Sequence, residues 1–405
     1  MKLTNMNKLF SFDHSIIFLF IILGITLKSI GKNEIHPLKE DIIDLNPEYN
    51  KYDSIINAFD CYLDNTVSQH LLPGAAVSVV KDQCILLQKC YGVKKFGTKD
   101  SVNKHTVFRL GSVSKGFAAV LTGVLVKENV FGWDDSIKNL YPDFNILDDN
   151  YEKEITIRHI LSQTTGMPRH AYTDLLDDNV SYENIKPLLC SIPSIGPPGK
   201  YYSYQNVIYS MIADVMKSVT GENYSELMQE KIFDPLNMCD ASTDYINFAK
   251  NGNIAYPHIK LKNGDWYTDK INDRYYTVAP AAGVNASISD MTSWLMAMLG
   301  NYNQYVDTST LHEIFSPHIK CYNRWQYKRN WKKLDKAYYG MGWRVFDYNG
   351  KIIAYHGGYV RGYKAEIAII PEDKTGIVLL TNAASFLPDK YVPQFIDDYL
   401  TVNKK

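Results

Sequence analysis

Two hydrophobic periodicities divide this chain, and their order constrains the fold more than any other feature. Short apolar runs of strand length lie near both ends. Residues 75–80 and 84–91 flank Lys81-Asp82-Gln83, and residues 342–348, 351–356, 363–370 and 377–381 follow one another near the end. The Asn349-Gly350 pair and the 371–376 segment read as turns, so each joins its flanking runs into a hairpin. Between the two groups of strands the period changes to 3.6 residues. Val113, Phe117, Val120, Leu121 and Val124 share one side of a helix predicted over 112–130. Val207, Ile208, Met211, Ile212 and Val215 do the same over 206–218, with Gly221 as C-cap. Residues 155–162, 291–299 and about 392–400 are further helix candidates. Strands from opposite ends bury both faces only by meeting. The expected fold is therefore α+β, of α/β sandwich type. Its antiparallel sheet comes from the N- and C-terminal segments, with flanking helices and an inserted, mostly helical subdomain.

The expected domain spans 51–400, with sheet-bearing parts at about 51–110 and 275–400 and a helical part at about 111–274. Residues 32–50 read as an exposed lead-in. Ahead of it, residues 16–27 are almost wholly apolar, with Lys2 and Lys8 before them and Lys28 after. As a helix they rise roughly 18 Å, too short for the ~30 Å hydrocarbon core. Residues 1–31 are therefore expected to be a signal peptide or an N-terminal anchor. Either places the rest outside the cytoplasm: periplasmic, secreted, or attached to the outer side of the membrane. Lys+Arg of 43 against Asp+Glu of 44 gives a net charge of -1, which argues against a nucleic-acid partner. Six cysteines without a CxxC spacing speak against a thiolate zinc site or dithiol redox motif, and are expected to be isolated buried thiols.

Three short patterns carry chemistry. In Ser112-Val113-Ser114-Lys115 the positions i and i+3 of a helix start face the same way, so an amine lies beside a hydroxyl that needs a base. Gly111 permits the sharp turn from strand to helix, and the helix start brings N–H groups to the nucleophile. The spacing differs from the G-x-S-x-G elbow. Tyr204-Gln205-Asn206 follows Pro197-Pro198-Gly199 and offers a phenol that can relay a proton and an amide that can hold a substrate amide. His356-Gly357-Gly358 ends a strand along which a substrate backbone can lie, and the N–H of Tyr359 can complete an oxyanion hole. A literal Lys374-Thr375-Gly376 falls in the last hairpin loop and reads as a decoy. No H-E-x-x-H helix is present, and no metal or cofactor is expected.

In this order and spacing the patterns resemble the serine β-lactamase and penicillin-binding protein-like superfamily, closest to class C β-lactamases and related DD-peptidases and esterases. Further likenesses are Phe108 to Lys115, Ile157-Arg158-His159-Ile160-Leu161 through Gly166-Met167-Pro168, Ala282-Gly283-Val284, Tyr339-Gly340-Met341-Gly342-Trp343 and Leu379-Leu380-Thr381-Asn382. The resemblance implies that Ser112 is acylated, that Lys115 shuttles its proton, and that Tyr204 is the general base. Asn206 would hold the substrate amide. His356, with Gly357 and Gly358, would bind substrate, and the N–H groups of Ser112 and Tyr359 would form the oxyanion hole.

The implied enzyme is a serine hydrolase acting as a monomer on peptide, β-lactam or ester bonds of a small-molecule or peptidoglycan-derived substrate. The alternative is a non-hydrolytic penicillin-binding or sensing protein of the same fold. His356 stands where a lysine is typical of true class C β-lactamases. A mostly neutral imidazole pulls less on a β-lactam carboxylate, which favours peptidase or esterase activity. Gln205 replaces a small residue and is expected to narrow the cleft. Residues 320–336, rich in Lys and Arg with Trp325, Tyr327 and Trp331 interleaved, read as either a solvated loop or a cationic, aromatic rim.

Overall fold

The computed structural model describes residues 47–321 and 325–403. The 1–31 segment, most of the 32–50 lead-in and Arg324 lie outside them. The described residues form an eight-stranded antiparallel sheet from eight segments. These are β1 (Gly74–Lys81), β2 (Cys84–Gly92), β3 (Ile319–Lys320), β4 (Leu334–Tyr339), β5 (Arg344–Tyr348), β6 (Lys351–Val360), β7 (Tyr363–Ile370) and β8 (Thr375–Thr381). The spatial order is β2-β1-β8-β7-β6-β5-β4-β3, so β1 and the last strand are neighbours, with Val77 opposite Leu379. The sheet is thus closed by pairing the two ends of the chain, as the strand pattern implied.

The two-residue period of the strands sorts their side chains into two layers. Ala75, Val77, Val79, Ile377 and Leu379 face one layer, while Ala76, Val80, Val378 and Leu380 face the other. The first layer is covered by helices α1 (Asp53–Ser68) and α6 (Pro388–Val402), through Phe59, Leu63, Phe395 and Ile396. The second takes α2 (Ser114–Lys127), α3 (Val207–Thr220), α4 (Ile288–Met298) and α5 (Thr308–Phe315). Phe117 of α2 stacks on Trp294 of α4 at 3.7 Å between ring centroids, a geometry that contributes about 0.5–1.5 kcal/mol beyond area burial.

Helix ends follow their caps. α3 runs to Thr220 and stops at Gly221 with φ +82°. α4 starts at Ile288, because Ser287 and Asp290 close a capping box. α6 starts at Pro388, earlier than the sequence pattern suggested, and carries Pro393 in its interior. Tyr391, Phe395 and Tyr399, all buried, hold the helix on the sheet along its length. α1 and the strands β3 and β4 were not anticipated. The expectation of buried thiols is corrected: no disulfide links the six cysteines, but Cys61 and Cys239 are exposed and only Cys321 is buried.

Candidate active site

The nucleophile turn is built by glycine. Phe108-Arg109 pairs with Asn285-Ala286, and the chain then reverses through a 3-10 turn, Gly111–Val113, into α2. Gly111 has φ +53°, and a Cβ there would meet the backbone nitrogen of Tyr359 at 2.7 Å. A Cβ on Gly358 would lie 1.9 Å from the Leu110 carbonyl oxygen and 3.2 Å from the Ser112 nitrogen. Only bare glycines at both places let the β6 backbone approach the turn. The backbones carrying the Ser112 and Tyr359 N–H groups thereby come together, as an oxyanion hole requires. Ser112 is half-buried and lines a cleft of about 380 Å³. Ser114 is wholly buried and accepts a hydrogen bond from the Val284 N–H at 2.9 Å.

Lys115 is fully buried, one helical turn from Ser112. Its Nζ donates to Asn206 Oδ1 at 2.8 Å and to the Ala281 carbonyl at 3.0 Å. It also sits 4.6 Å from the centre of the Tyr204 ring. No carboxylate pairs with it in the described residues. Burial, and then the charge of Arg344, hold its ammonium well below the ordinary lysine range. Burial pushes the Tyr204 phenol up instead; Arg344, a hydrogen bond shared with Ser112, and Arg169 oppose that rise. The two groups are therefore poised differently. Lys115 readily gives up its proton, while Tyr204 keeps its own until the amine or the serine acts on it.

His356 lies on β6 but is fully buried and does not line the cleft. Its Nδ1 is 2.9 Å from the Gly357 carbonyl and 3.3 Å from Arg344 Nη1, and its Nε2 is 3.3 Å from Tyr339 Oη. Burial, Arg344 and Lys115 hold its pKa well below 6.5, so the imidazole is neutral. Positive groups at the cleft are instead Arg344, Arg169 and Lys364, and Arg344, the one nearest the catalytic side chains, was missed by the sequence reading. It follows directly on Tyr339-Gly340-Met341-Gly342-Trp343. Gly342, at φ +73°, lets this turn lie against the Lys115 carbonyl, 2.4 Å from where its Cβ would be. Arg344 Nε donates to Tyr327 Oη at 3.0 Å, and the guanidinium lies 5.5–5.8 Å from the rings of Tyr204, Tyr327 and Tyr355. Among the described residues no carboxylate pairs with it.

The remaining candidates separate cleanly. Gly357, Gly358 and Tyr359 line the cleft. Gln205 does not narrow it: its side chain turns away and donates to the Pro168 carbonyl, while its backbone is clasped by Gln163. Lys374 lies in a different cavity, beside Tyr49, Asp82 and Lys351. Lys374→Ala is accordingly expected to leave hydrolysis kinetics at the wild-type value; a loss like that of Arg344→Met would show that this loop reaches the chemistry. The 320–336 segment divides by residue type. Tyr327, Asn330 and Trp331 wall the cleft, whereas Arg329 and Lys332 face a separate hollow with Tyr62 and Lys390. Lys333 is tied to Asp397 at 2.9 Å. What this segment gives the cleft wall is thus mainly aromatic, while Arg329, Lys332 and Lys333 lie away from it.

Comparison with known proteins gives a coherent picture. The model of the family described as Beta-lactamase matches residues 58–400. Among curated proteins, the chain is 26% identical over 370 residues to Unguisins hydrolase ungD of Aspergillus violaceofuscus, covering 82% of this chain and 62% of that protein. It is 24% identical over 355 residues to Protein flp of Staphylococcus aureus, covering 85% of this chain and 66% of that protein. The chain thus spans just under two thirds of the length of either relative. Among solved structures, the octameric penicillin-binding protein homologue from Pyrococcus abyssi superposes with a TM-score of 0.75 at 20% identity, over 85% of this chain and 77% of that one. At that identity the likeness speaks for the fold.

Proposed function

Since the chain belongs to the Beta-lactamase family, we propose that it is a serine hydrolase that acylates Ser112 and acts on peptide or ester bonds in preference to β-lactams. The observation that carries this reading is the buried Lys115 amine, free of any carboxylate in the described residues, between Asn206 and Tyr204 and beside a half-buried serine. Ser112 Oγ attacks the substrate carbonyl and passes its proton to Lys115, directly or through Tyr204. The N–H groups of Ser112 and Tyr359 hold the oxyanion. The proton then goes to the leaving amine or alkoxide as the scissile bond breaks, leaving an ester on Ser112 that water hydrolyses. Asn206, fixed by its bond to Lys115, orients the substrate amide. The sequence of residues 16–27 supports export, with the domain outside the cytoplasm.

Charge in the cleft bears on what the substrate carries. Arg344 is half-buried and has no carboxylate partner among the described residues, an arrangement whose cost an anionic ligand recovers. Arg344 supplies such a receptor in the cleft, so the substrate is expected to carry a carboxylate near the scissile bond. Arg344→Met should raise KM for carboxylate substrates by about 10–100-fold, the worth of a charged hydrogen bond at roughly 1.5–3 kcal/mol. p-Nitrophenyl acetate, with no carboxylate to hold, should lose far less. A hollow of about 460 Å³ lies on the other side of Tyr359, beside Asn272, Arg274 and Tyr275, and gives room for the remainder of an extended substrate.

Intact-protein mass spectrometry after incubation with a fluorescent penicillin, followed by a panel of D-alanyl-D-alanine peptides, nitrocefin and p-nitrophenyl esters, tests the reading. A transient adduct with ester or peptide turnover supports it. A permanent adduct with no turnover supports a penicillin-binding receptor instead, and no adduct with any substrate overturns both.

A further inference from the structure

One polar cluster in the cleft takes no part in the chemistry above. Lys364 and Glu366 lie on β7, and Asp389 lies in the first turn of α6. Glu366 is opposite Gly357 in the strand register, and Lys364 is opposite Tyr359. A Cβ on Gly357 would stand 2.6 Å and 3.0 Å from the two Glu366 carboxyl oxygens and 3.0 Å from Tyr355 Oη. The Glu366 carboxyl therefore occupies the space into which a side chain at 357 would project. Gly357, Tyr355, Lys364 and Asp389 all line the cavity that holds Ser112 and Arg344.

With both acids ionised, the cluster is short of one cation. Lys364 Nζ lies 2.7 Å from Asp389 Oδ1 and 3.1 Å from Glu366 Oε1. Yet Glu366, wholly buried, closes no hydrogen bond of good geometry at either oxygen, and Asp389 Oδ2 is buried without one too. One ammonium cannot satisfy two carboxylates, and a buried acceptor left unmade costs about 1–3 kcal/mol. The groups that act on Glu366 are Lys364 on its own strand, Tyr355 on β6 and Asp389 on α6; across β8 its partner is the apolar Leu379. Burial and Asp389 outweigh Lys364 and push its pKa up to about 8.

We propose that Glu366 and Asp389, bridged by Lys364, form a subsite for a positively charged substrate group, an ammonium, in the same cavity in which Arg344 takes a carboxylate. The substrate end held there is then zwitterionic, such as a terminal amino acid with a basic side chain. This rests on Arg344 being the carboxylate receptor of a serine hydrolase, and it adds specificity residues to that site. Gly357, which lines the cavity without a side chain, is what brings the buried Glu366 carboxyl up beside it.

Binding is measured on the Ser112→Ala protein, so that turnover does not intervene. Acetyl-alanyl-lysine, acetyl-alanyl-norleucine and acetyl-alanyl-glutamate, each in the D- and L-series, are titrated into it by calorimetry. The lysine form is expected to bind about tenfold tighter than the norleucine form, and the glutamate form weakest. The lysine preference should widen from pH 7 to pH 9 as Glu366 loses its proton while the ligand ammonium stays charged. Adding Glu366→Gln should bring lysine and norleucine forms level. Asp389→Asn, at a partly exposed side chain, repeats the test where Glu366→Gln fails to fold. Equal binding of the three peptides, a preference for glutamate, or no binding of any overturns the subsite. Release of p-nitrophenol from its acetate by the wild-type protein is assayed beside it. Release without a lysine preference sinks the subsite alone; a lysine preference without release leaves the subsite standing and sinks the hydrolase reading.

Discussion

Ser112→Ala is expected to abolish acylation by every activated substrate, with no adduct in intact-protein spectra, and to leave thermal unfolding where it was. The hydroxyl is half-buried at the cleft wall, and the fold around it is held by backbone contacts that alanine keeps. Removing the only atom that forms the covalent bond leaves whatever the oxyanion donors and binding contribute, which does not produce an acyl-enzyme. Ser114→Ala is the matched control, two residues away. Its hydroxyl satisfies the buried Val284 N–H at 2.9 Å, so its loss should lower stability by about 1–3 kcal/mol and leave the acylation rate nearly intact. The two variants thus move opposite observables. Acylation surviving in Ser112→Ala and vanishing in Ser114→Ala would mean that the nucleophile had been placed two residues too early.

The same contrast explains how much of the molecule was legible in its sequence. Ser112, Lys115, Tyr204 and Asn206 sit at element ends, where glycine, proline and a change of period mark the backbone, and local pattern locates them. The central strands were legible because alternate residues such as Val77 and Val79 face one layer and Ala76 and Val80 the other. α1 was not, because its buried positions, Phe59, Leu63 and Thr66, are sparse and part of their packing comes from α6, which lies over three hundred residues away. Arg344 was invisible for a related reason. An arginine after Gly-Trp reads as surface charge until the fold places it beside three tyrosines, with no acid paired to it among the described residues. The neutral charge of His356 was legible from its type, but its burial behind the cleft wall, beside a guanidinium, was not. The Lys364–Glu366–Asp389 cluster joins two elements through a missing side chain at Gly357, and no linear pattern announces that.

Lys115→Met and Tyr204→Phe are each expected to lower kcat by roughly 10²-fold or more, the usual cost of losing a positioned proton-transfer group. Because both serve one proton path, the double variant should lose little beyond the worse single one. The pH profile identifies which of them titrates. Lys115 must be neutral to take the Ser112 proton, so kcat/KM for p-nitrophenyl acetate should be low below the Lys115 pKa and rise as pH passes through it. Burial and then the Arg344 charge hold that pKa well below the ordinary lysine value. Arg344→Met removes the second cause and leaves the first, so the ammonium becomes less disfavoured and the rising limb should move to higher pH. Tyr204→Phe removes neither of those two causes, so it should lower the plateau and leave the limb in place. A limb that stays fixed in Arg344→Met, or that moves to lower pH, would show that the titrating base is not Lys115. A limb that disappears in Tyr204→Phe would assign the base to the phenol, against the burial that keeps it protonated.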